Sequence, residues 1–421
     1  MEPGVRHLQL DAQDPPVSRN GSEMAVPAAS ELRAEWRRRQ RVGGMSALPD
    51  TALVVGGGIA GMSAAMRLMD AGAAVTLIDK DPEWSVYGAG ITCSALTFRA
   101  LCDLGLANEL LSMGAPHNVV ALHDLAGGSL LRTIPLPRLQ GETMDAGGGI
   151  MRPDLHAIMS ARVRSLGAEV RLGLTVDAVS QDADGVDVTF RDGTTGRFDL
   201  VVGADGLFST MRDMVLPNAP KPKFTGQACW RVMFDLPQEW QGVGAMFLSP
   251  TLKVGFTPCA PGRMYMYLLE HVPDNPWRDA SEMPGILRNL LKDAGGKVAE
   301  FRDVIGADTP INYRPVESVL VDGDWYNGRV VLIGDTVHAT TPHLASGAGM
   351  AVEDAIVLVE ELGRHDTQPD AFRAFMDRRL ERAKMVVGNS LKLGELEMAG
   401  APMQQQAALM QASTEASCAL Y

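Results

Sequence analysis

The sequence contains few of the residues that build metal sites, disulfide frameworks and nucleic-acid-binding surfaces. Its five cysteines are an odd number and include no Cys-x-x-Cys pair, and no histidines accompany them at metal-ligand spacing. This pattern argues against a disulfide scaffold and a zinc site, and it favours a reducing, cytoplasmic location. With a formal net charge of -13, the chain has no basic excess for binding nucleic acid or an anionic membrane. We therefore expect small-molecule ligands, no metal and no nucleic acid.

Long apolar runs are also missing from residues 1–49, so neither a signal-peptide core nor a membrane span is predicted there. A basic run at 37–41 follows a stretch that contains Pro15, Pro16, Gly21 and Pro27. This composition predicts an N-terminal extension, either a disordered tail or the product of a misassigned start with Met45 as the true beginning. A tether or transit segment is the alternative, although six acidic residues before position 40 weaken a transit interpretation.

The remaining chain is rich in apolar residues and glycine, with 46% hydrophobic residues and 44 glycines among 421 residues. It is long enough to bury a large core and to form two intertwined domains. A strand at 51–55, a helix at 59–71 and a strand at 74–78 form one βαβ unit. Further apolar patterns predict a helix at 152–167, strands at 169–172, 178–181, 200–203 and 330–333, and a hairpin at 192–193.

Between about 223 and 312 the pattern changes to strict alternation, which predicts an antiparallel sheet with one buried face. A helix is predicted from 347, and apolar residues at helical spacing continue through 366–421. The fold class is therefore α/β: a Rossmann-type dinucleotide-binding domain, an interposed antiparallel-sheet substrate domain and C-terminal helices. We assign residues 50–125, 147–215 and 315–365 to the first, 126–146 and 216–314 to the second, and 366–421 to the helical segment.

A Gly-x-Gly-x-x-Gly turn joins the first predicted strand to the first helix. Gly56 suits the tight turn, Gly58 allows backbone to approach a pyrophosphate, and Gly61 allows the helix to pack on the strand. The helix N-terminus, including Ile59 and Ala60, offers N–H groups and a positive dipole to phosphate. Asp79 ends the second strand, where a carboxylate can accept a hydrogen bond from a ribose hydroxyl. The turn alone does not distinguish FAD from NAD.

Two later segments resemble a known family. Residues 203–212 read Gly-Ala-Asp-Gly-x-x-Ser-x-x-Arg, and residues 334–350 read Gly-Asp-Thr-Val-His followed by Pro342 and a glycine-rich stretch. With the glycine turn, they make residues 50–395 similar to the single-component aromatic hydroxylases of the p-hydroxybenzoate hydroxylase family. The departures are Thr336-Val337 in place of two small residues and Ala345-Ser346-Gly347 where many members have Gly-Gln-Gly.

The resemblance implies noncovalent FAD and assigns further cofactor contacts. In the family, the segment containing Asp205 and Arg212 touches FAD and the reduced nicotinamide. Asp335 would bind the ribityl or ribose part, and Arg152 would lie near the phosphates or serve as an ordinary surface arginine. The glycine-rich helix start would approach the flavin pyrimidine edge, where its dipole favours negative charge. The remaining implied contacts are Gly334, Pro342, Gly347, Ala348, Gly349 and Met350.

The resemblance also implies an activity. NADH or NADPH would reduce FAD, and a flavin C4a-hydroperoxide formed with O2 would hydroxylate an aromatic or heteroaromatic small molecule. The same fold also supports epoxidation, N-hydroxylation or ring-opening oxygenation, and a flavin- or ligand-binding protein without turnover is the non-enzymatic alternative. We expect a monomer or a homodimer.

The protein must orient the substrate and assist its ionisation, so we looked for polar side chains on the predicted sheet and beside Pro342. The catalytic candidates are Tyr265 and Tyr267 on one strand, Arg231 on another, and His343 in the flavin-facing loop. Each has an ordinary alternative: the tyrosines as core residues, Arg231 in a surface pair and His343 as a structural side chain. His338 is expected to be structural.

Overall fold

The computed structural model describes residues 46–86, 88–136 and 147–419. Most of the predicted N-terminal extension, residues 1–45, lies outside the described residues. Residues 46–49 are described and are packed on the domain: the Ser46 hydroxyl donates to the Leu362 carbonyl at 3.2 Å, and the Ala47 N–H donates to the His365 carbonyl at 2.8 Å.

The described strands and helices follow the predicted order. The strands are β1 Thr51–Val55, β2 Ala74–Asp79, β3 Gly90–Cys93, β4 Ala115–His117, β5 Val119–Asp124, β6 Leu130–Pro135, β7 Gly147–Met151, β8 Glu169–Leu172, β9 Val176–Gln181, β10 Val186–Phe190, β11 Thr195–Phe198, β12 Leu200–Gly203, β13 Lys223–Asp235, β14 Gly244–Leu248, β15 Lys253–Ala260, β16 Arg263–His271, β17 Ile311–Ser318, β18 Tyr326–Asn327 and β19 Val330–Leu332. The helices are α1 Ile59–Asp70, α2 Ala95–Asp103, α3 Ala107–Met113, α4 Arg152–Ser165, α5 Thr210–Val215, α6 Met283–Leu290, α7 Gly296–Val304, α8 Asp335–His338, α9 Gly347–Arg364, α10 Gln368–Met398 and α11 Met403–Ser417. Short 3-10 helices span Gln238–Trp240 and Pro342–Leu344.

A sheet in the order β18-β19-β12-β1-β2-β8 forms the dinucleotide-binding half. All its pairs are parallel except β18 with β19. In register, Leu53 of β1 lies between Val201 of β12 and Thr76 of β2. The central strands are apolar throughout and buried, as expected where a parallel sheet is covered on both faces. The α/β class and the Rossmann-type domain are confirmed.

The second sheet has the order β17-β13-β16-β15-β14-β5-β6. Its pairs are antiparallel except β14 with β5, which is parallel. The prediction of one buried face is wrong, because Met264 and Met266 are buried under α6 and α7 while Tyr265 is buried on the opposite face. Both faces of these strands carry apolar residues, so the alternation alone does not show whether one face or both are buried.

The sheet pairing also moves one predicted boundary. Residues 50–125 were assigned to the FAD-binding domain, whereas β5 hydrogen-bonds to β14 and β6 in the second sheet. The rings of His123 and Phe247 stack across this pairing with centroids 4.6 Å apart. We therefore propose a boundary before Val119, and β17 likewise runs across the predicted boundary at 314–315. Within the predicted insertion 126–146, residues 137–146 lie outside the described part.

The C-terminal helices complete the molecule. α10 is 31 residues long and packs against α9, α11, β13 and the turn at Pro342–Leu344. It thereby brings residues near 390–398 close to the sheet face that carries Tyr265. Among the described helices, none combines the length and hydropathy needed to cross a bilayer.

Candidate active site

The glycine turn after β1 is shaped by close backbone contacts. Gly56 has φ +107°, and a Cβ there would lie 2.3 Å from the Ala204 carbonyl oxygen. A Cβ on Gly61 would lie 1.8 Å from the Gly56 carbonyl oxygen. Gly58, by contrast, faces open space, with no atom within 4 Å of an added Cβ. Gly56 and Gly61 therefore serve packing, while Gly58 leaves the N-terminus of α1 open to a ligand.

Asp79 braces this turn. Its Oδ2 accepts a hydrogen bond from Gly57 N at 2.6 Å, and its Oδ1 accepts one from Asp81 N at 2.8 Å. Trp84 donates from Nε1 to the Gly57 carbonyl at 2.9 Å. Both carboxylate oxygens thus hold backbone beside the open face of Gly58, and contact with a ribose remains a proposal.

The Asp205 segment packs against the glycine turn, where a Cβ on Gly56 would lie 3.0 Å from the Asp205 Cα. Asp205 Oδ2 accepts from the backbone N–H groups of Thr210 at 2.8 Å and Met211 at 3.1 Å, so it stabilises the start of α5, whose N-cap residue is Ser209. Arg212 is 1% exposed and donates to the carbonyls of Thr336 at 2.8 Å and Leu207 at 3.0 Å. This motif therefore ties the loop after β12 to the loop after β19. Direct contact of Asp205 or Arg212 with cofactor stays a proposal.

Two helix N-termini meet at Gly334. This residue has φ +64°, and a Cβ there would lie 2.8 Å from the Ala60 Cβ of α1 and 3.4 Å from the Ala351 Cβ of α9. Neither helix start has a side-chain cap, since Gly58 and Ser346 make no capping hydrogen bond from a side chain. Their N–H groups and dipoles therefore favour negatively charged or electron-rich ligand groups in one groove.

The glycine-rich stretch at the start of α9 divides between groove and core. Gly347 and Ala348 are half-buried at the helix start and Pro342 is exposed, whereas Gly349 and Met350 are buried. A Cβ on Gly349 would lie 2.1 Å from a Leu96 methyl group. The last two residues therefore bring α9 against α2.

Asp335 and Arg152 carry the charges of the groove. Both side chains are accessible to solvent, yet surrounding protein desolvates them: burial raises the pKa of Asp335 and lowers that of Arg152. The charge of Arg231 lowers the pKa of Arg152 further, while Tyr265 and Asp335 oppose the shift. Asp335 and Arg152 are thus reached by solvent but are surrounded by protein, as expected for side chains that line a ligand-binding groove. This groove, with Gly58 open at one helix start, fits FAD.

Two of the predicted catalytic residues, Arg231 and Tyr265, lie on the second sheet near Arg152. Arg231 is half-buried, and neither it nor Arg152 makes a side-chain hydrogen bond or ion pair in the described part of the chain. Tyr265 is 3% exposed, and its hydroxyl hydrogen-bonds to Thr92. Burial raises the pKa of Tyr265 to about 12, so it stays neutral at physiological pH. Burial likewise raises the pKa of Tyr267, whose ring centroid lies 5.6 Å from that of Tyr265.

His343 lines a cavity of about 350 Å³ between β13, the 341–343 loop and α10. Its Nδ1 is 2.7 Å from Thr341 Oγ1, and its Nε2 is 3.3 Å from Glu397 Oε2. Lys253 Nζ lies 2.6 Å from Glu397 Oε1. Glu397 and Lys253 were not predicted, because neither stands in a motif and only the fold brings α10 over β15. A larger concavity of about 460 Å³ on β9–β11 contains none of these residues.

Charged residues behind the groove fix the loop from Gly334 to His338. Asp354 Oδ2 lies 2.5 Å from His338 Nε2 and accepts from Gly334 N at 2.8 Å, while Asp354 Oδ1 accepts from Arg379 Nε at 2.8 Å. Glu353 pairs with Arg379, Arg382 and Arg99. His338 is 2% exposed, so its structural placement agrees with the expectation. In the described chain, no group of three or more metal-ligating side chains forms a candidate metal site.

Comparison with known proteins identifies the ligand of this groove. Residues 50–390 match the family model described as FAD binding domain. The chain is 32% identical to the 2-heptyl-3-hydroxy-4(1H)-quinolone synthase of Pseudomonas aeruginosa, over 73% of this chain and 79% of that protein. It is 30% identical to the 6-hydroxynicotinate 3-monooxygenase of Bordetella bronchiseptica, over 79% and 88%.

A solved structure extends the agreement to three dimensions. Klebsiella pneumoniae HpxO, complexed with FAD and uric acid, superposes with a TM-score of 0.77 at 25% identity, over 87% of this chain and 92% of that chain. FAD is therefore the cofactor, and use of NADH or NADPH is typical of these proteins. The chain belongs to the FAD binding domain family, among its FAD-dependent monooxygenases and aromatic hydroxylases, and is a flavoprotein monooxygenase.

Proposed function

We propose that this monooxygenase hydroxylates an aromatic or heteroaromatic ring that carries an acidic group, such as a carboxylate, a phenol or an acidic ring N–H. The observation that carries this proposal is the pair of guanidinium groups of Arg152 and Arg231. They lie close enough for Arg231 to lower the pKa of Arg152, and within the described part of the chain neither makes a side-chain hydrogen bond or a salt bridge, although the charge of Asp335 reaches Arg152. Two adjacent guanidinium groups without salt bridges favour anionic or electron-rich ligand groups.

The two arginines divide between cofactor and substrate in this proposal. Arg152 begins α4 and its pKa is affected by Asp335, which supports a role on the FAD side. Arg231 lies on β13, opposite Tyr267 of β16 and Asn312 of β17, which supports a role on the substrate side. A guanidinium binds a carboxylate in a bidentate manner and stabilises a phenolate. Arg231 therefore orients the ring and favours its ionised, electron-rich form.

The neighbouring side chains complete the pocket. Tyr265 remains neutral and its hydroxyl hydrogen-bonds to Thr92, so it shapes the wall of the pocket without adding a charge. Tyr267 lies beside Gly255, where a Cβ would be 2.2 Å from its ring, so the ring lies flat on β15. His343, with Thr341, lines the adjoining cavity and would take the proton of the substrate.

When bound, FAD supplies reduction by NADH or NADPH and the activation of O2; the chain supplies orientation and exclusion of water. The names of the relatives support a ring with an acidic group, since they refer to a hydroxyquinolone and a hydroxynicotinate. The five free cysteines support our expectation of a reducing, cytoplasmic location. We keep a monomer or a homodimer as the proposed assembly and nucleic acid as an excluded partner.

A substrate panel with an Arg231→Met variant tests the proposal. NAD(P)H consumption stimulated by phenols, aromatic carboxylates and N-heteroaromatics should be coupled to a hydroxylated product, with little hydrogen peroxide. Loss of one charged hydrogen-bond donor should raise KM for acidic substrates about 10- to 100-fold, while FAD content stays unchanged. Product analysis separates hydroxylation from epoxidation, N-hydroxylation and ring opening.

Arg263→Met is the matched control, because Arg263 lies on β16, is exposed, and has Asp235 at 4.0 Å as its ion-pair partner among the described residues. It should leave KM unchanged. An unaltered KM for every acidic substrate in Arg231→Met would remove Arg231 from substrate binding. Absence of stimulated NAD(P)H oxidation across the panel would instead favour a flavin- or ligand-binding protein without turnover.

A further inference from the structure

A chain of polar side chains leads from the His343 cavity towards the surface. It consists of Thr341 in the loop before α9, His343, Glu397 on α10 and Lys253 on β15, with contacts of 2.7, 3.3 and 2.6 Å in that order. Thr341 is 1% exposed and the His343 side chain 2%, whereas the side chains of Glu397 and Lys253 are 17% and 26% exposed. The chain therefore passes from the interior to a partly hydrated end.

The donors and acceptors in this chain are set by chemistry. Lys253 Nζ donates to Glu397 Oε1 at 2.6 Å and to Gln406 Oε1 at 2.5 Å, and Gln406 Nε2 donates to the Ala401 carbonyl at 2.8 Å. The carboxylate of Glu397 is thus fixed by α11 and β15, with Oε2 turned to His343. Because a carboxylate only accepts, a proton on His343 Nε2 and a Thr341 hydroxyl that donates to Nδ1 are the arrangement that suits both neighbours.

The approach of His343 to α10 is made possible by Gly394. A Cβ at this position would lie 3.0 Å from His343 Cε1 and 3.3 Å from Nε2. Glycine is less favourable than alanine inside a helix. Gly394 therefore lowers the stability of α10 but allows the close contact with His343. In the described structure the 3.3 Å approach is not aligned as a hydrogen bond, and Nε2 has no other hydrogen-bond partner there. Nε2 is therefore a buried polar atom whose nearest charged neighbour is the Glu397 carboxylate.

We propose that Glu397 is the positioning residue for His343, and that Thr341, His343 and Glu397 form the relay that removes the substrate proton. This proposal rests on the proposed function. The substrate O–H or N–H gives its proton to Thr341 Oγ1, and the Thr341 hydroxyl proton passes to His343 Nδ1. The proton on His343 Nε2 then moves to Glu397 Oε2, and water at the exposed end accepts it. No electrons are exchanged in these transfers.

The groups that face Glu397 come from several elements. His343 and Lys253 outweigh the effect of burial and hold the pKa of Glu397 below its ordinary value. The carboxylate also acts on Tyr267 of β16, whose pKa it raises further, and Gln406 of α11 is neutral.

Glu397→Gln in the FAD-loaded enzyme tests the relay. We expect kcat to fall about 10- to 100-fold, with KM changed less than about threefold. This is less than the roughly 100- to 10,000-fold contribution of direct general-base assistance, because Glu397 acts through His343. Glu397→Asp retains the charge and should restore part of kcat. Lys253→Gln removes the cation that holds the Glu397 carboxylate but keeps the carboxylate itself, so kcat should fall less than in Glu397→Gln. Glu381→Gln, on the exposed side of the same helix, should match the wild type.

Nitrogen-15 NMR of the histidine rings gives a readout that does not depend on turnover. His343→Asn assigns the His343 resonances in the holoenzyme. We expect the wild type to show Nε2 protonated and Nδ1 as acceptor, and Glu397→Gln to mix the two tautomers. Unchanged His343 resonances in both Glu397→Gln and Lys253→Gln would overturn the positioning role, whatever the activity. A wild type that shows this tautomer but no stimulated NAD(P)H oxidation would refute the proposed function and leave the positioning in place.

Discussion

The two walls of the groove are built in different ways. The cofactor wall consists mainly of backbone: Gly56 and Gly61 pack against neighbouring carbonyls, and Gly334 lies between two helix starts. The wall that we propose for the substrate consists of side chains from distant elements, among them Arg231 on β13 and Tyr265 on β16. Backbone geometry demands particular residues at fixed spacing, whereas a side-chain wall accepts many solutions. The first wall therefore binds one cofactor, and the second sets the substrate.

The largest expected effect comes from breaking the charge cluster behind the cofactor wall. Asp354→Asn removes the partner of His338 and Arg379 from a fully buried position, which costs about 3–5 kcal/mol of unfolding free energy for a broken buried pair. It also frees Gly334 N, so FAD affinity should fall. Urea unfolding and FAD titration measure the two effects. Asp235→Asn, whose side chain is 99% exposed, should change neither.

The same pair predicts how stability depends on pH. Burial disfavours the charged form of His338, but Asp354 outweighs it and raises the pKa of His338 above 6.5. Burial also opposes ionisation of Asp354, but His338 and Arg379 lower its pKa below 3.8. The His338 contribution is complete below pH 6.5 and is lost as pH rises through the folded value. The Asp354 contribution is complete above pH 3.8 and is lost on acidification. Unfolding of Asp354→Asn should therefore lack the alkaline loss; an unchanged pH profile would contradict this pairing.

The second comparison lies within the glycine turn. Gly61→Ala places a methyl group on the Gly56 carbonyl, so we expect a loss of about 1–3 kcal/mol from overpacking and poor FAD retention. Gly58→Ala should leave the apoprotein as stable as the wild type, because the position faces open space. It should nevertheless weaken FAD binding, since the methyl group occupies the surface offered to pyrophosphate. Titration followed by flavin fluorescence measures the FAD affinity of both variants, and urea unfolding of the apoproteins measures their stability. Wild-type FAD affinity in Gly58→Ala would show that the pyrophosphate lies elsewhere.

The smallest expected effects come from two glycines of α10 on the substrate side. Gly388 has no atom within 4 Å of an added Cβ, so Gly388→Ala should stabilise the protein by up to about 1 kcal/mol through helix propensity. In Gly394→Ala the same gain is offset by contacts with Gln227 and His343. We expect Gly394→Ala to leave the melting temperature near that of the wild type while kcat falls. Equal kcat values for the two variants would show that His343 does not need its present position.

The sequence predicts the cofactor side well, for a physical reason. The first strand and helix begin where expected, since the glycine turn permits few backbone paths between them. The FAD assignment came from the resemblance, and the structure gives the motif residues a role that the motif does not state. Arg212 and Asp354 hold loops from within the core. Conformation of the groove thus depends on residues that do not line it.

The substrate side could be predicted only in part. Arg231 and Tyr265 stood out because polar residues alternate with apolar ones on their strands. Glu397 and Lys253 did not, because their meeting depends on the path of a 31-residue helix over a sheet. The role of His343 depends on the same packing. A pattern with a period of two or 3.6 residues contains no information on contacts between residues 253, 343 and 397.

The ties between α2, α9 and the end of α11 have a consequence for cofactor retention. Arg99 and Arg382 donate to the carbonyls of Ser417, Cys418 and Ala419, and both pair with Glu353 beside the cofactor groove. Local unfolding of the end of α11 would therefore withdraw these acceptors from two arginines that also hold Glu353. Retention of FAD thus depends in part on a helix end that does not line the groove.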